Sequence, residues 1–183
     1  RSKEVNLEFL QVLKERCERQ EILFMCTAHD QLALNWLNDL DVVAHKIGSG
    51  EKENYEFIRQ HAKTNKPLII STGMQNKTDI LGTIRCVAGT ENKKLAILHC
   101  ITSYPTPYEE VNLNSLITLK NIFPGPVGYS DHCKGIVAVL GAVALGASIV
   151  EKHISLDFDV PDAQDWKVAS DRDELNRLVE KFY

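Results

Sequence analysis

The sequence predicts an α/β fold, namely an incomplete (β/α)8 barrel of the TIM type that contains about six of the eight strand–helix units. Two observations support it. Short runs of apolar and β-branched residues alternate along the chain with segments of helical periodicity, which is typical of a parallel sheet covered by helices. Polar side chains follow the end of every apolar run, as they do at the mouth of a barrel.

The predicted strands are nearly continuous apolar runs, as expected for a sheet buried on both faces. They begin 20 to 32 residues apart, which leaves room for one crossover helix between consecutive strands. The predicted strands are 22–26, 42–47, 68–71, 95–100, 127–129 and 148–154.

Helical spacing of apolar residues predicts the segments between the strands. A first helix covers about 5–17, and later helices begin after the N-caps Asp30, Asn54 and Thr78. Further helices are predicted over 111–119, 136–145 and 175–179.

An open doubly wound sheet is the competing architecture. A dinucleotide-binding sheet of that kind carries a glycine-rich turn after its first strand, and Cys26-Thr-Ala-His-Asp30 is not such a turn. The 183 residues are fewer than the roughly 250 of a complete barrel. We therefore expect residues 1–183 to form a single partial barrel domain that lacks the first two strands.

Composition excludes several classes of function. The formal net charge is -4 and no run of Lys and Arg exceeds two residues, which argues against a nucleic-acid partner. No apolar stretch reaches the roughly 18 residues of a membrane span. The five cysteines are odd in number and form no Cys-x-x-Cys pair, so reduced thiols and a cytoplasmic location are expected.

Hydroxyl groups, glycines and one lysine follow the early strands and predict a site for a small anion. Lys46-Ile-Gly-Ser-Gly-Glu51 combines an ammonium, a hydroxyl and a carboxylate with two glycines that let backbone amides approach a ligand. Ser71-Thr-Gly-Met74 repeats the theme, and Thr27 follows the first predicted strand. A glycine turn with a solvated lysine is the simpler alternative.

Two histidines end the last two predicted strands and are candidate metal ligands. His132 lies in Tyr129-Ser-Asp-His132, and His153 follows in Glu151-Lys-His153. Imidazole suits Mn, Zn or Fe, and two imidazoles leave coordination positions open for a substrate. Tyr104 and Asp165 lie in loops beyond strand ends, where substrate contacts are common.

Taken together, these motifs resemble the sialic acid synthase family, whose members condense phosphoenolpyruvate with amino sugars. The resemblance extends over essentially the whole chain. It depends on the motifs Lys46-Ile-Gly-Ser-Gly-Glu51, Leu68-Ile-Ile-Ser-Thr-Gly-Met74, His99-Cys-Ile-Thr-Ser-Tyr-Pro-Thr-Pro107, Glu110-Val-Asn-Leu113, Val127-Gly-Tyr-Ser-Asp-His132, Gly141-Ala-Val-Ala-Leu-Gly-Ala147 and Glu151-Lys-His153.

The resemblance implies a role for each candidate residue. His132 and His153 are implied to bind a divalent ion, Mn or Mg, while Lys46 and Glu51 take part in catalysis. The residues implied to bind phosphoenolpyruvate are Thr27, Ser49, Ser71 and Ser130, and those implied to contact the amino sugar are Tyr104 and Asp165. Thr102 is a further candidate substrate-binding residue. Thr102 stands where relatives often have asparagine, and Pro161-Asp-Ala-Gln-Asp165 replaces their shorter Pro-Gly-Pro-Asp, so a modified bacterial sugar is expected rather than plain N-acetylmannosamine.

The implied reaction joins phosphoenolpyruvate and an N-acetylated amino sugar into a nine-carbon 2-keto acid with release of phosphate. Full-length members are implied to be homodimers with a C-terminal antifreeze-like domain. This chain lacks that domain and the first two strands, so we expect it to be a fragment with little activity alone. Two alternatives stay open: a class I aldolase that uses Lys46 or Lys152 as a Schiff base, and a non-catalytic barrel piece.

Overall fold

The fold, taken from a computed structural model, is described for residues 5–159 and 164–182. The described residues form seven α-helices and five strands, and from β1 onwards strands and helices alternate as the sequence predicts. The helices are α1 Leu7–Arg19, α2 Gln31–Asp39, α3 Tyr55–Lys63, α4 Lys77–Ala88, α5 Asn114–Ile122, α6 Val137–Ala144 and α7 Arg172–Phe182. The strands are β1 His45–Ile47, β2 Leu68–Ser71, β3 Leu95–His99, β4 Val127–Asp131 and β5 Val150–Lys152.

The five strands form one parallel sheet in sequential order, β1-β2-β3-β4-β5. Each strand returns to the sheet beside its predecessor after one helix, which is the winding of a barrel rather than of a doubly wound sheet. The incomplete barrel predicted from the sequence is confirmed. Because all strands run in one direction, their carboxyl ends meet at the same edge of the sheet.

Two apolar clusters pack the helices against one another and against the sheet. The larger one lies between the sheet and helices α3 to α7, and it includes Ile70, Ile97 and Leu116, each at most 1% exposed. The smaller one packs α1 and α2 against Phe57 of α3. Burial of one such side chain contributes about 1.5–3 kcal/mol, so the sheet is held from the helix side along its whole width.

The sequence was wrong about the first strand and about one helix start. Residues 22–26 form no strand, and only Thr27 makes an isolated parallel bridge with Lys46. Ile22 and Leu23 are 62% and 76% exposed, so this segment has neither a pairing partner nor apolar cover on its outer side. Helix α4 is capped by Asn76, two residues before the predicted Thr78, whereas Asp30 and Asn54 cap their helices as predicted.

The outer edge of β5, on the side of the sheet opposite to β1, is partly covered. Ser170 N–H donates to His153 O at 2.8 Å, and Ser155 N–H donates to Ser170 O at 3.1 Å, which adds a short bridge beyond the end of β5. Val168, Ala169 and Ser170 are buried there. Over the residues that the structure describes, no helix has the length and apolar character needed to cross a bilayer.

Candidate active site

A small cavity opens at the carboxyl ends of the strands and collects most of the predicted site residues. Its volume is about 160 Å³. Each strand contributes a polar side chain near its end, because alternate residues of a strand point to the same face. The lining residues are Lys46, Gly48, Ser49, Gly50, Ser71, Cys100, Thr102, Tyr104, Ser130, His132, Glu151 and His153.

Three predicted residues lie outside this lining. Thr27 is paired with Lys46, the middle residue of β1, through an isolated backbone bridge. Glu51 accepts a hydrogen bond from Asn54 Nδ2 at 2.7 Å and lies 3.9 Å from His29 Nδ1. Asp165 is 3.8 Å from His153 Nδ1, so it is next to the cavity. Residues 160–163 of the predicted sugar loop are outside the described residues.

The hydrogen bonds of His132 determine its tautomer. Its Nδ1 lies 2.6 Å from Ile101 O, which can only accept, so Nδ1 carries the proton. Its Nε2 therefore offers a lone pair and accepts from the Tyr104 hydroxyl at 2.9 Å. Burial lowers the pKa of His132, and the nearby His153 acts in the same direction. Burial also raises the pKa of Tyr104 to about 12, so the phenol remains a donor.

The two histidines face each other across the neighbouring strands β4 and β5. Their ring centroids are 5.3 Å apart, and the Tyr104 ring stacks on His132 at 4.0 Å. A neutral imidazole whose Nδ1–H is bonded to a carbonyl keeps the Nε2 lone pair for a metal, which is the usual metal-binding form of histidine. At His132 the Tyr104 hydroxyl is bonded to that lone pair and would turn away from it when a cation binds. The pair therefore fits a divalent cation by its donor chemistry.

The described residues hold no ready-made cluster of side-chain ligands around the two histidines. Within 5–159 and 164–182, no group of three or more His, Cys, Asp and Glu side chains has a metal-binding arrangement. A cation held by His132 and His153 would then keep positions for water or for substrate oxygens. This is the open coordination that Lewis-acid chemistry requires.

Glu151 is a site residue that the sequence reasoning missed. It accepts from Ser130 Oγ at 2.7 Å, and it lies 3.3 Å from Lys46 Nζ. The signal was present in the sequence, because residue 151 is two positions before His153 and therefore points to the same face of β5. Glu151 links the first and last strands of the sheet across the cavity.

Hydroxyl and thiol groups form the other wall. Gly73 N–H donates to Ser49 Oγ at 3.0 Å, and Cys100 Sγ lies 3.2 Å from the same oxygen. Ser71 Oγ is buried and has no hydrogen-bond partner among the described residues. A buried hydroxyl without a partner is costly unless a ligand satisfies it, so this wall is suited to an anion.

The chain is similar to enzymes that make sialic acids and related sugars. It is 38% identical over 177 residues to the N,N'-diacetyllegionaminic acid synthase of Campylobacter jejuni, covering 96% of this chain and 53% of that protein. It is 36% identical over 146 residues to the N-acetylneuraminate-9-phosphate synthase of Homo sapiens, covering 79% of this chain and 40% of that protein.

A solved structure gives the same result for the fold. The N-acetylneuraminic acid synthetase of Leptospira borgpetersenii superposes with a TM-score of 0.93 at 34% identity, covering 97% of this chain and 62% of that one. The chain thus spans about half the length of the curated relatives it matches. The family model described as NeuB family matches residues 1–183. The chain belongs to the NeuB family.

Proposed function

We propose that the protein condenses phosphoenolpyruvate with an N-acetylated amino sugar to give a nine-carbon 2-keto sugar acid and phosphate. The observation that carries this proposal is one cavity that holds two facing imidazoles, an ammonium group and a wall of hydroxyl groups. The imidazoles suit a divalent cation, and the other groups suit a small dianion. The names of the relatives support the same class of reaction.

Phosphoenolpyruvate would bind at the hydroxyl wall. Lys46 supplies a positive charge, Ser49 and Ser130 supply hydroxyl groups, and Ser71 Oγ gains the partner it lacks. The backbone at Gly48 and Gly50 has no side chain in the way of close approach by an anion. Thr27, on the adjacent segment, completes the proposed contacts.

The sugar would bind on the histidine side. A Mn²⁺ or Mg²⁺ ion held by His132 and His153 would polarise the aldehyde oxygen of the open-chain sugar. The Tyr104 hydroxyl, which donates to His132 Nε2 in this structure, would donate to the sugar once a cation takes that lone pair, and Asp165 lies next to His153. Thr102 faces the same space.

The reaction takes up one water molecule besides its two substrates. The π electrons between carbons 2 and 3 of phosphoenolpyruvate form the bond to the aldehyde carbon, while the π electrons of the aldehyde move to its oxygen, which takes up a proton. Water then adds to the resulting cationic carbon 2 and loses a proton. The carbon–oxygen bond to phosphate then breaks, and carbon 2 becomes the ketone. We propose that Glu51 handles a proton in these steps, while Lys46 balances the negative charge.

The lysines fit the aldolase alternative poorly. Lys152 is 3% exposed, and its Nζ donates to Asp131 Oδ2 and Cys133 O at 2.7 and 2.6 Å. A substrate carbonyl cannot reach it without disruption of that pair. Lys46 reaches the cavity, but its Nζ lies 3.3 Å from Glu151 Oε2 and is therefore paired with a carboxylate.

Direct binding measurements test the proposal. Calorimetry should show binding of Mn²⁺ that His132→Ala abolishes, and binding of phosphoenolpyruvate that Ser71→Ala weakens. Ser148→Ala is the matched control, because Ser148 Oγ bonds Val127 O at the other end of the sheet. If the protein bound neither Mn²⁺ nor phosphoenolpyruvate, the non-catalytic barrel piece would be favoured instead.

The homodimer and the cytoplasmic location stay predictions.

A further inference from the structure

A buried ion pair lies directly behind the two candidate metal ligands. Asp131 Oδ2 and Lys152 Nζ are 2.7 Å apart, and their side chains are 0% and 3% exposed. The two residues are register partners on β4 and β5. His132 follows one of them in the sequence, and His153 follows the other.

This pair also holds the backbone around His132. Asp131 Oδ1 accepts from the Tyr129 hydroxyl at 2.9 Å and from Cys133 N–H at 3.0 Å. Lys152 Nζ donates to Cys133 O at 2.6 Å. The N–H and the C=O of Cys133 are therefore both hydrogen-bonded to the ion pair. His132 lies between Asp131 and Cys133, which these bonds hold in place.

The pair does not itself reach the cavity. Successive residues of a strand point to opposite faces, so Ser130 and His132 face the cavity while Asp131 points to the helix side, where Tyr129 is buried. On β5, Lys152 occupies the same helix side. A ligand in the cavity would touch the histidines and not the ion pair.

Stability alone does not explain such a pair. A buried ion pair contributes little net stability relative to apolar side chains of similar size, because both charges lose their hydration. It does impose one arrangement on the groups that it bonds. Here those groups are the backbone segments that carry the two imidazoles.

We propose that Asp131 and Lys152 are positioning residues that fix the separation of the His132 and His153 imidazoles for a divalent cation. This inference rests on the proposed function, in which those imidazoles hold the cation. The pair acts through the register of β4 and β5 and through the peptide groups of Cys133. Neither residue ligates the cation.

The test replaces both charges together. The double variant Asp131→Asn/Lys152→Met leaves no unpaired buried charge, so the protein should fold with a melting temperature close to that of the wild type. Calorimetric titration with Mn²⁺ should then give a Kd at least about tenfold higher, as is typical when a group that orients a ligand is lost. The control is Lys52→Met/Asp79→Asn. It removes an ion pair whose Nζ and Oδ2 atoms are 2.8 Å apart and which does not line the cavity, so the Kd should stay within about twofold of the wild type.

A milder variant covers the case in which the double variant does not fold. Tyr129→Phe removes one donor to Asp131 and keeps the ring and the ion pair. We expect it to fold and to weaken Mn²⁺ binding about threefold, as part of the effect of the pair. An unchanged Kd in the folded double variant, or in Tyr129→Phe if the double variant is unfolded, would overturn the inference.

Imidazole NMR separates this inference from the proposed function. If the wild-type protein does not bind Mn²⁺, the metal part of the proposed function fails, and the inference is then decided in the metal-free protein. The Nδ1–H signal of His132, which is bonded to Ile101 O, should shift or broaden in the double variant. Signals of His132 and His153 identical to those of the wild type would contradict the positioning role.

Discussion

At the scale of single residues, the outer side of β1 has a buried pair of histidines that the proposed reaction does not use. His45 and His61 are 1% and 0% exposed, and their ring centroids are 5.4 Å apart. Burial, together with the nearby His61 and Lys66, lowers the pKa of His45 from 6.5 to about 4. Burial lowers the pKa of His61 as well.

This pair makes stability depend on pH. Well above pH 6.5, His45 is neutral in both the folded and the unfolded chain, so its contribution to stability is fully present. As the pH falls from 6.5 towards 4, the unfolded chain takes up a proton that the folded chain does not, and the free energy of unfolding decreases. We expect a loss of about 2 kcal/mol between pH 7 and pH 5 from His45.

Urea unfolding at several pH values measures this loss. His45→Gln keeps a donor for Asn38 Oδ1 and should flatten the pH dependence. His29→Gln changes a histidine that is 77% exposed and should leave the dependence as in the wild type. If the His45→Gln and wild-type curves ran parallel, burial of this imidazole would not be the cause.

Gly73 provides a second prediction at this scale, because a Cβ there would enter the hydroxyl wall of the cavity. That atom would lie 2.5 Å from Thr102 Oγ1, 2.7 Å from Ser49 Oγ and 2.9 Å from Cys100 Sγ. Gly73→Ala should lower stability by about 1–3 kcal/mol and weaken phosphoenolpyruvate binding, measured by thermal unfolding and calorimetry. Gly50→Ala is the control for stability, because nothing lies within 4 Å of its Cβ position. Equal stability of the two variants would show that the side chains of Thr102, Ser49 and Cys100 move aside at no measurable cost.

The sequence predicts which residues at strand ends face the cavity, but it does not predict which side chains they contact. Lys46, Ser71 and His132 reach the cavity because strand position and alternation determine the direction of their side chains. Glu51 bonds Asn54 instead, since it follows the strand in a short 3-10 helix whose geometry no periodicity encodes. Contacts between distant segments, such as Lys46 with Glu151, depend on the closed fold.

At the scale of elements, local signals determine the helices but not the edge strand. Asp30 and Asn54 accept hydrogen bonds from backbone amides of the first turns that they cap, so the sequence alone identifies those helix starts. A strand needs a partner as well as an apolar composition. Segment 22–26 has the composition, but its outer side is exposed, and it makes only the bridge at Thr27.

Helix α4 provides a prediction at this scale. Asn76 Oδ1 accepts from Thr78 N–H and Asp79 N–H, and Asp79 Oδ2 accepts from Asn76 N–H, which completes a capping box. Asn76→Ala should therefore lower the free energy of unfolding by about 1 kcal/mol in urea titrations. Thr78→Ala changes an exposed residue within the first turn and should stay within about 0.5 kcal/mol of the wild type. A larger loss in Thr78→Ala than in Asn76→Ala would place the cap at Thr78 after all.

At the scale of the whole molecule, the two edges of the sheet differ in how they are covered. The β5 edge is partly covered by the segment around Ser170, which bonds His153 O. Among the residues described, the edge next to β1 pairs with the single bridge of Thr27, and Ile22, Leu23 and Val43 are exposed beside it. An exposed apolar edge is a common site of association between chains.

We therefore expect the 183-residue chain to associate with itself as its concentration rises, through the edge next to β1. Leu23→Lys places a charge on this edge at a side chain that is 76% exposed, and it should reduce the sedimentation coefficient at high concentration without a change in melting temperature. Leu156→Lys is the matched variant near the other edge, where the side chain is 101% exposed, and it should leave association unchanged. If Leu156→Lys reduced association and Leu23→Lys did not, the contact would lie at the β5 edge, because a charge blocks pairing only where chains meet.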